Sequence, residues 1–288
     1  MIQIKKLAVS NCYFFSSILL ILINKQLINI MGFKQHLLLS ALQSLIITLI
    51  SYIILISKDK NVSFKNIKAW IYISSTLSIM IISNIKSIYY FDITLYTLHK
   101  NCTIIIVALL ERLLFKKSIC PNDYIIFAGL ILSSLSADMS KLYNIFGWMW
   151  MIINMVSTTC YILLLKYITI ETNSIVKTVF FNNLFSTPLL LYCSFMLDNY
   201  NVKINLNINI YLLIVFSSIL ALVTALSSLW IIKVLSATIY CVIGASNKLV
   251  LSIISILWFN ESRPPIKLFC IIIGIFCSFI YSYKSIME

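Results

Sequence analysis

HLLLSALQSLIITLISYIILI, residues 36–56, runs for 21 residues without an acid, a lysine or an arginine. Wound as an α-helix it reaches about 32 Å, and a bilayer's hydrocarbon core is about 30 Å thick. Lipid offers no hydrogen-bond partner to a peptide group, so a segment crossing it must satisfy its own backbone. This segment therefore predicts a membrane-spanning helix. Working outward, similar apolar runs occupy residues 7–29, 69–88, 93–114, 121–137, 145–168, 176–197, 208–231, 236–259 and 266–283. The fifth, 121–137, is the shortest. The expected fold class is an all-α membrane protein with ten transmembrane helices.

Composition agrees. The chain has 288 residues, 61% of them hydrophobic and 11% charged, against about 25% charged in soluble domains. Mean hydropathy is +0.99. A net charge of +13 raises nucleic acid as a partner, but the lysines and arginines sit in short gaps between apolar runs rather than on a solvated stripe. That distribution is a topology signal, because cytosolic loops are enriched in Lys and Arg. With both termini cytosolic, 13 basic residues fall on the cytosolic side, 7 on the other, and Lys100 and Lys248 within spans. The partners expected on this basis are a lipid bilayer and no nucleic acid. Lys5 and Lys6 precede an apolar run with no small-residue cleavage site after it, so the run reads as a retained first span.

A faint internal repeat divides the chain into about 1–140 and 141–288 within one polytopic domain, 1–288. Tyr96, Lys100 and Asn101 in the fourth run echo Tyr240, Asn247 and Lys248 in the ninth, and Gly129 echoes Gly274. Five spans repeated after an odd number of crossings lie inverted in the membrane. Inverted repeats are a common architecture of alternating-access carriers, with the site at the repeat interface.

An ionisable side chain inside a span costs about 2.5–3.5 kcal/mol at the helix centre, which makes it a functional candidate by default. Three qualify: Lys100, Glu111 and Lys248. Tyr240, Gly244 and Lys248 recur at every fourth residue and share one helix face, with Asn247 beside it. Gly244 and Ala245 leave room for close approach. A cation, an amide and a phenol on one stripe suit an anion with a polar organic part; the competing reading of Lys248 is a lysine that snorkels to the interface. Lys100 reads either as a second anion contact or as the partner of a helix end or an acid. Glu111, next to Arg112, reads as an interfacial charge.

Phe180-Phe181-Asn182-Asn183 places two amides in the seventh run. Unsatisfied amides are costly there, so each needs either a ligand, such as the donor and acceptor edge of a nucleobase, or a neighbouring helix. Tyr13 and Asn24 of the first run read as packing hydrogen bonds, and Pro188 as a bend. Seven of the eight cysteines lie in apolar runs without metal-ligand spacing and read as buried small hydrophobes. The two histidines, His36 and His99, do not make a metal site alone. No metal or cofactor is expected. Asn260-Glu261-Ser262 matches a glycosylation sequon in a very short loop.

Phe180-Phe181-Asn182-Asn183 resembles the FYNN motif of GDP-mannose transporters, and Gly244-Ala245-Ser246-Asn247-Lys248 resembles their GALNK motif. The likeness extends along the chain, through Tyr13 with Ser16 to Leu19 and Asn24-Lys25, Tyr96-Thr97 with Lys100-Asn101 and Thr103 to Ile105, and Gly147 with Trp150-Met151 and Asn154. The resemblance implies the drug/metabolite transporter fold, two inverted five-helix halves, in the Golgi membrane. It implies exchange of a cytosolic GDP-sugar, GDP-mannose above all, for lumenal GMP. Carried over by position, Asn182 and Asn183 would read guanine, while Tyr240, Gly244, Asn247 and Lys248, with Ser246 in the same motif, would hold the sugar-diphosphate. Tyr13 would join them from the first span; Lys100 stays a candidate second anion contact on the residue reading above. Phe181 lacks the usual tyrosine hydroxyl, Ser246 replaces a leucine and Val250 replaces a proline. These departures leave guanine as the base and open the sugar to fucose or arabinose.

Rival readings are a carrier of the same fold for UDP-sugars or other phosphorylated sugars, and a polytopic glycosyltransferase. The latter needs acids for metal or base chemistry, yet the chain has nine acids, no DxD, and within the apolar runs only Glu111 and, at the start of the fifth, Asp123. The protein is thus expected not to be an enzyme. A homodimer is compatible with the sequence.

Overall fold

The computed structural model describes residues 2–30, 32–33, 35–57, 67–90, 93–116, 120–132, 145–198, 208–259 and 265–287. Among these are ten α-helices and no strand: α1 (Ile2–Lys25), α2 (His36–Ser57), α3 (Ile67–Tyr90), α4 (Ile93–Phe115), α5 (Pro121–Leu132), α6 (Ile145–Thr172), α7 (Ile175–Leu197), α8 (Ile208–Val234), α9 (Ala237–Phe259) and α10 (Pro265–Met287). The ten apolar runs correspond to these helices one for one. Five of them, starting at Gln3, His36, Ile145, Ile175 and Ile208, are long and apolar enough to cross a membrane by length and composition. The chain is an all-α, multi-pass membrane protein.

Local chemistry sets the helix ends. Pro121 and Pro265 open α5 and α10, where a missing N–H is no loss. The Asp123 carboxylate accepts the Cys120 N–H at 3.0 Å and closes the first turn of α5. Asn173 takes φ 50° between α6 and α7, the left-handed stop that asparagine tolerates. A π-helical turn, Gln26–Ile30, extends α1. The Phe33 N–H then bonds the Leu27 carbonyl at 3.1 Å, and Gly32, at φ +73°, lets the chain reverse. Pro188 does not end α7, which continues to Leu197.

The residue pattern is that of a protein whose solvent is lipid. Phe15, Ile53, Ile125, Phe195, Leu212 and Phe276 are exposed, while Ser51, Ser74, Ser83, Ser186, Ser217 and Ser278 are buried. Small polar groups inside allow close helix approach and hydrogen-bond across or back onto helices. The cysteines depart from expectation: Cys12 and Cys160 are exposed on their helices, and the other described ones are half-buried free thiols. A thiol is apolar enough to face lipid, so an apolar run does not by itself imply burial. The Cys270 side chain and the sequon at 260–262 lie outside the described residues.

The chain forms two compact units, and each draws on both halves of the sequence. One comprises 1–10, 79–163 and 231–288; the other comprises 11–78 and 164–230. In the first, α4 packs on α5 and α9, and α10 packs on α5 and α9, which closes a ring of four helices. Gly129 of α5 makes one of these contacts possible: a Cβ there would lie 2.5 Å from the Cys277 Sγ of α10. Phe127 and Tyr281 meet on the same face, 5.4 Å between ring centroids. Lys284 binds Asp123 at 2.9 Å. In the second unit α2 packs along α7, and Leu27, Phe33, Leu39, Ile210 and Ile214 form an apolar cluster beside the α1–α2 turn.

Candidate functional site

In the second unit the paired amides of α7 are both buried, but they are held differently. Asn183 donates its Nδ2–H to the Val179 carbonyl at 2.8 Å, and its Oδ1 accepts the Ser44 hydroxyl of α2 at 3.0 Å. Ser44 also lies 3.1 Å from the Ser186 Oγ and accepts the Thr187 hydroxyl at 3.0 Å. Asn183 is therefore part of the bond between α2 and α7. An asparagine amide carries two donors and two acceptor lone pairs, so one of each is left for another partner. Asn182 is buried on the neighbouring face, and its backbone carbonyl accepts the Ser74 hydroxyl at 3.3 Å.

Aromatic rings fix the approach to this pair. Phe181 is fully buried and stacks on Trp70 with centroids 5.2 Å apart. Phe180 stacks on Tyr52 at 5.7 Å, and the two phenylalanines meet edge to face at 5.1 Å. Lys177 holds its Nζ 5.9 Å from the Phe181 centroid, a cation over a ring. The position where the resemblance has a tyrosine is thus occupied by packing. Tyr13, on α1 of the same unit, is buried. Asn24 accepts the Gln43 Nε2–H at 2.9 Å, and Gln43 also donates to Ser217 at 3.0 Å. These bonds join α1, α2 and α8, so Asn24 packs as expected. Gln43 and Ser44 escaped the sequence reading because nothing about a lone polar residue in an apolar run says which helix it faces.

In the first unit the α9 stripe is built on a helix packed against α4. Tyr240 and Gly244 are half-buried, and Ala245, Ser246 and Asn247 are buried. The Ser246 hydroxyl donates back to the Val242 carbonyl at 3.0 Å, so its hydrogen is committed within the helix. Lys248 is a residue of α9, but its side chain lies outside the described residues. Lys100 of α4 donates to the Thr158 hydroxyl of α6 at 3.1 Å. Its neighbour Asn101 donates to the Leu130 carbonyl of α5 at 2.7 Å. Asn154 ties α6 to α3 through the Met80 carbonyl at 2.9 Å and Ser83 at 3.1 Å. Asn24, Asn101, Asn154 and Asn183 thus all act as interhelical links.

Glu111 corrects the sequence reading. It is not an interfacial charge but a fully buried one. Its Oε1 accepts the Ala237 N–H at 2.9 Å, and its Oε2 accepts the Thr238 N–H at 3.0 Å and the Thr238 hydroxyl at 2.6 Å. The carboxylate therefore caps the positive end of α9, where unpaired N–H groups and the helix dipole favour an anion. Neither local spacing nor hydropathy could signal this, because the partner helix begins 126 residues later. In the other unit the Asp198 carboxylate accepts the Leu37 and Leu38 N–H groups at 3.4 and 2.9 Å and caps α2 similarly.

No protein-family model matches the chain. The GDP-mannose transporter of Kluyveromyces lactis is 29% identical over 290 residues, covering 94% of this chain and 88% of that one. GDP-mannose transporter 1 of Saccharomyces cerevisiae is 27% identical over 93% of this chain and 87% of its own. The GDP-mannose transporter of Candida glabrata is 27% identical over 91% and 87%. A crystal structure at 12% identity superposes with a TM-score of 0.71, covering 96% of this chain and 99% of that one, which speaks to the fold alone. The chain is thus a multi-pass membrane protein similar, nearly end to end, to proteins named GDP-mannose transporter.

Proposed function

We propose that this protein carries a GDP-sugar, GDP-mannose first, into the Golgi lumen in exchange for GMP. The observation that supports this most is the similarity along 94% of the chain to proteins named GDP-mannose transporter. The residues fit that role. Asn182 and Asn183 offer the amide donors and acceptors that a guanine edge needs. Tyr240, Gly244, Ser246, Asn247 and Lys248 line one helix with a phenol, an amide, an ammonium and little steric bulk, the means to hold a sugar-diphosphate. Tyr13 adds an aromatic surface, and Lys100, already beside a hydroxyl, adds a second cation.

The mechanism proposed is alternating access, with the repeats 1–140 and 141–288 related by inversion and both termini cytosolic. Moderate affinity for both GDP-sugar and GMP lets each leave on its own side. The protein is a carrier and not a group-transfer enzyme. Its acid within a membrane-spanning run, Glu111, is engaged in capping α9, and Asp123 is paired with Lys284. Ser246 and Val250, where the resemblance has leucine and proline, favour a second reading in which the sugar is fucose or arabinose. The test is competition against labelled GDP-mannose uptake into proteoliposomes. GMP should compete and UMP should not; competition by UMP alone would move the protein to UDP-sugars and sink the guanine assignment.

A further inference from the structure

We propose that Glu111 is a positioning residue for substrate, one that sets the height and rotation of the α9 face carrying Tyr240, Gly244 and Asn247. The inference rests on the carrier reading given above and goes beyond it, because Glu111 belongs to neither motif.

The first turn of α9 is fully accounted for. The Ala237 and Thr238 N–H groups go to the two oxygens of Glu111. The Ile239 N–H goes to the Ser236 Oγ at 3.1 Å, and the Tyr240 N–H to the Ser236 carbonyl at 3.3 Å. Ser236 is a local cap that moves with the helix. Glu111 is different, because it belongs to α4 and ties α9 to a separate element. One carboxylate gripping two successive N–H groups and a hydroxyl constrains rotation about the α9 axis as well as translation along it. Side-chain tips lie about 5 Å from a helix axis. A turn of about 20° would then carry the Asn247 amide about 2 Å, enough to break a hydrogen bond whose useful range is about 2.7–3.2 Å.

Burial without bulk solvent makes this grip costly to replace. Glu111→Gln keeps size but offers one acceptor where two N–H groups point, and turns an –NH2 toward the other. Asp198 in the other unit makes a comparable cap, but α2 presents no candidate substrate residue, so only the Glu111 cap bears on binding.

The experiment measures GDP-mannose/GMP exchange in proteoliposomes for wild type, Glu111→Gln, Thr238→Val, Asn247→Ala, Asn182→Ala and the doubles of Glu111→Gln with each asparagine variant. Folded protein is quantified by size exclusion. Glu111→Gln should raise KM about tenfold, the loss of one charge-assisted hydrogen bond's worth of alignment, with the maximal rate per folded molecule little changed. Thr238→Val should shift KM in the same direction by less. Glu111→Gln should add little to Asn247→Ala, because both act through α9, and should multiply fully with Asn182→Ala. A wild-type KM in Glu111→Gln, or full multiplication with Asn247→Ala, overturns the inference. If Glu111→Gln does not fold, a wild-type KM in Thr238→Val overturns it instead. Absence of exchange by wild type would instead sink the carrier reading; with exchange present, a normal KM in Asn247→Ala overturns the inference that Glu111 acts through this face, and a raised KM in Asn247→Ala with none in Glu111→Gln sinks only the role of Glu111.

Discussion

Replacing Ser44 with alanine separates the helix link that Asn183 makes from the guanine contact proposed for it. The Ser44 hydroxyl donates to the Asn183 Oδ1 at 3.0 Å and accepts from Thr187 at 3.0 Å, all within the α2–α7 contact. An interhelical side-chain hydrogen bond in a membrane contributes about 0.6 kcal/mol on average and about 1.7 at most. Ser44→Ala should therefore lose about 1–2 kcal/mol, since Thr187 also loses its acceptor but keeps the Asn183 carbonyl at 2.7 Å. Asn183→Ala should lose a similar amount, and the double variant about 0.6–1.7 kcal/mol less than the sum. For a chain of this size each kcal/mol is about 2–4 °C in Tm, so thermal unfolding in detergent resolves the cycle. Transport then separates the roles. Ser44→Ala should keep its preference for GMP over UMP, whereas Asn183→Ala should lose it along with stability. Additivity within about 0.3 kcal/mol would refute the structural link, and equal loss of base preference in both variants would refute the division of labour.

Three further outcomes follow from single residues. Lys248→Ala should abolish exchange while the protein still elutes as a folded species; normal exchange by that variant would remove the lysine from the anion site. Gly129→Ala should destabilise by about 1 kcal/mol, the low end for overpacking because a thiol can rotate, and Cys277→Ala should restore it, since the added methyl would meet the Sγ at 2.5 Å. Among the described residues the Ser51 hydroxyl is buried with no hydrogen-bond partner, so Ser51→Ala should raise Tm by the equivalent of about 1 kcal/mol; a drop in Tm would show that the hydroxyl has a partner.

The helices were largely legible in the chain because lipid imposes one rule on every span. Residues 36–56 became His36–Ser57, and 176–197 became Ile175–Leu197. Ends depending on distant partners were less so. The π-helical turn after Lys25 follows from how Phe33 folds back on Leu27, and hydropathy carries no trace of that. The candidate site was legible as residue types on helix faces, such as Tyr240, Gly244 and Asn247. The division of the polar residues was not. Asn24, Asn101, Asn154 and Asn183 carry no mark in the sequence as structural links, and only their neighbours across the helix contacts show that they are. Glu111 is the sharpest case. An acid in an apolar run was visible but read as an interfacial charge, because its partner was the start of a helix more than a hundred residues away.

The central claim is carriage of a guanine-linked sugar in exchange for its nucleotide monophosphate. It is tested most directly by uptake of labelled GDP-mannose, GDP-fucose, GDP-arabinose and UDP-sugars into liposomes bearing the purified protein, loaded with GMP or left empty. The account predicts that GDP-mannose enters GMP-loaded vesicles many times faster than empty ones, and that UDP-sugars enter neither. Uptake indifferent to lumenal GMP, or led by a UDP-sugar, would contradict it.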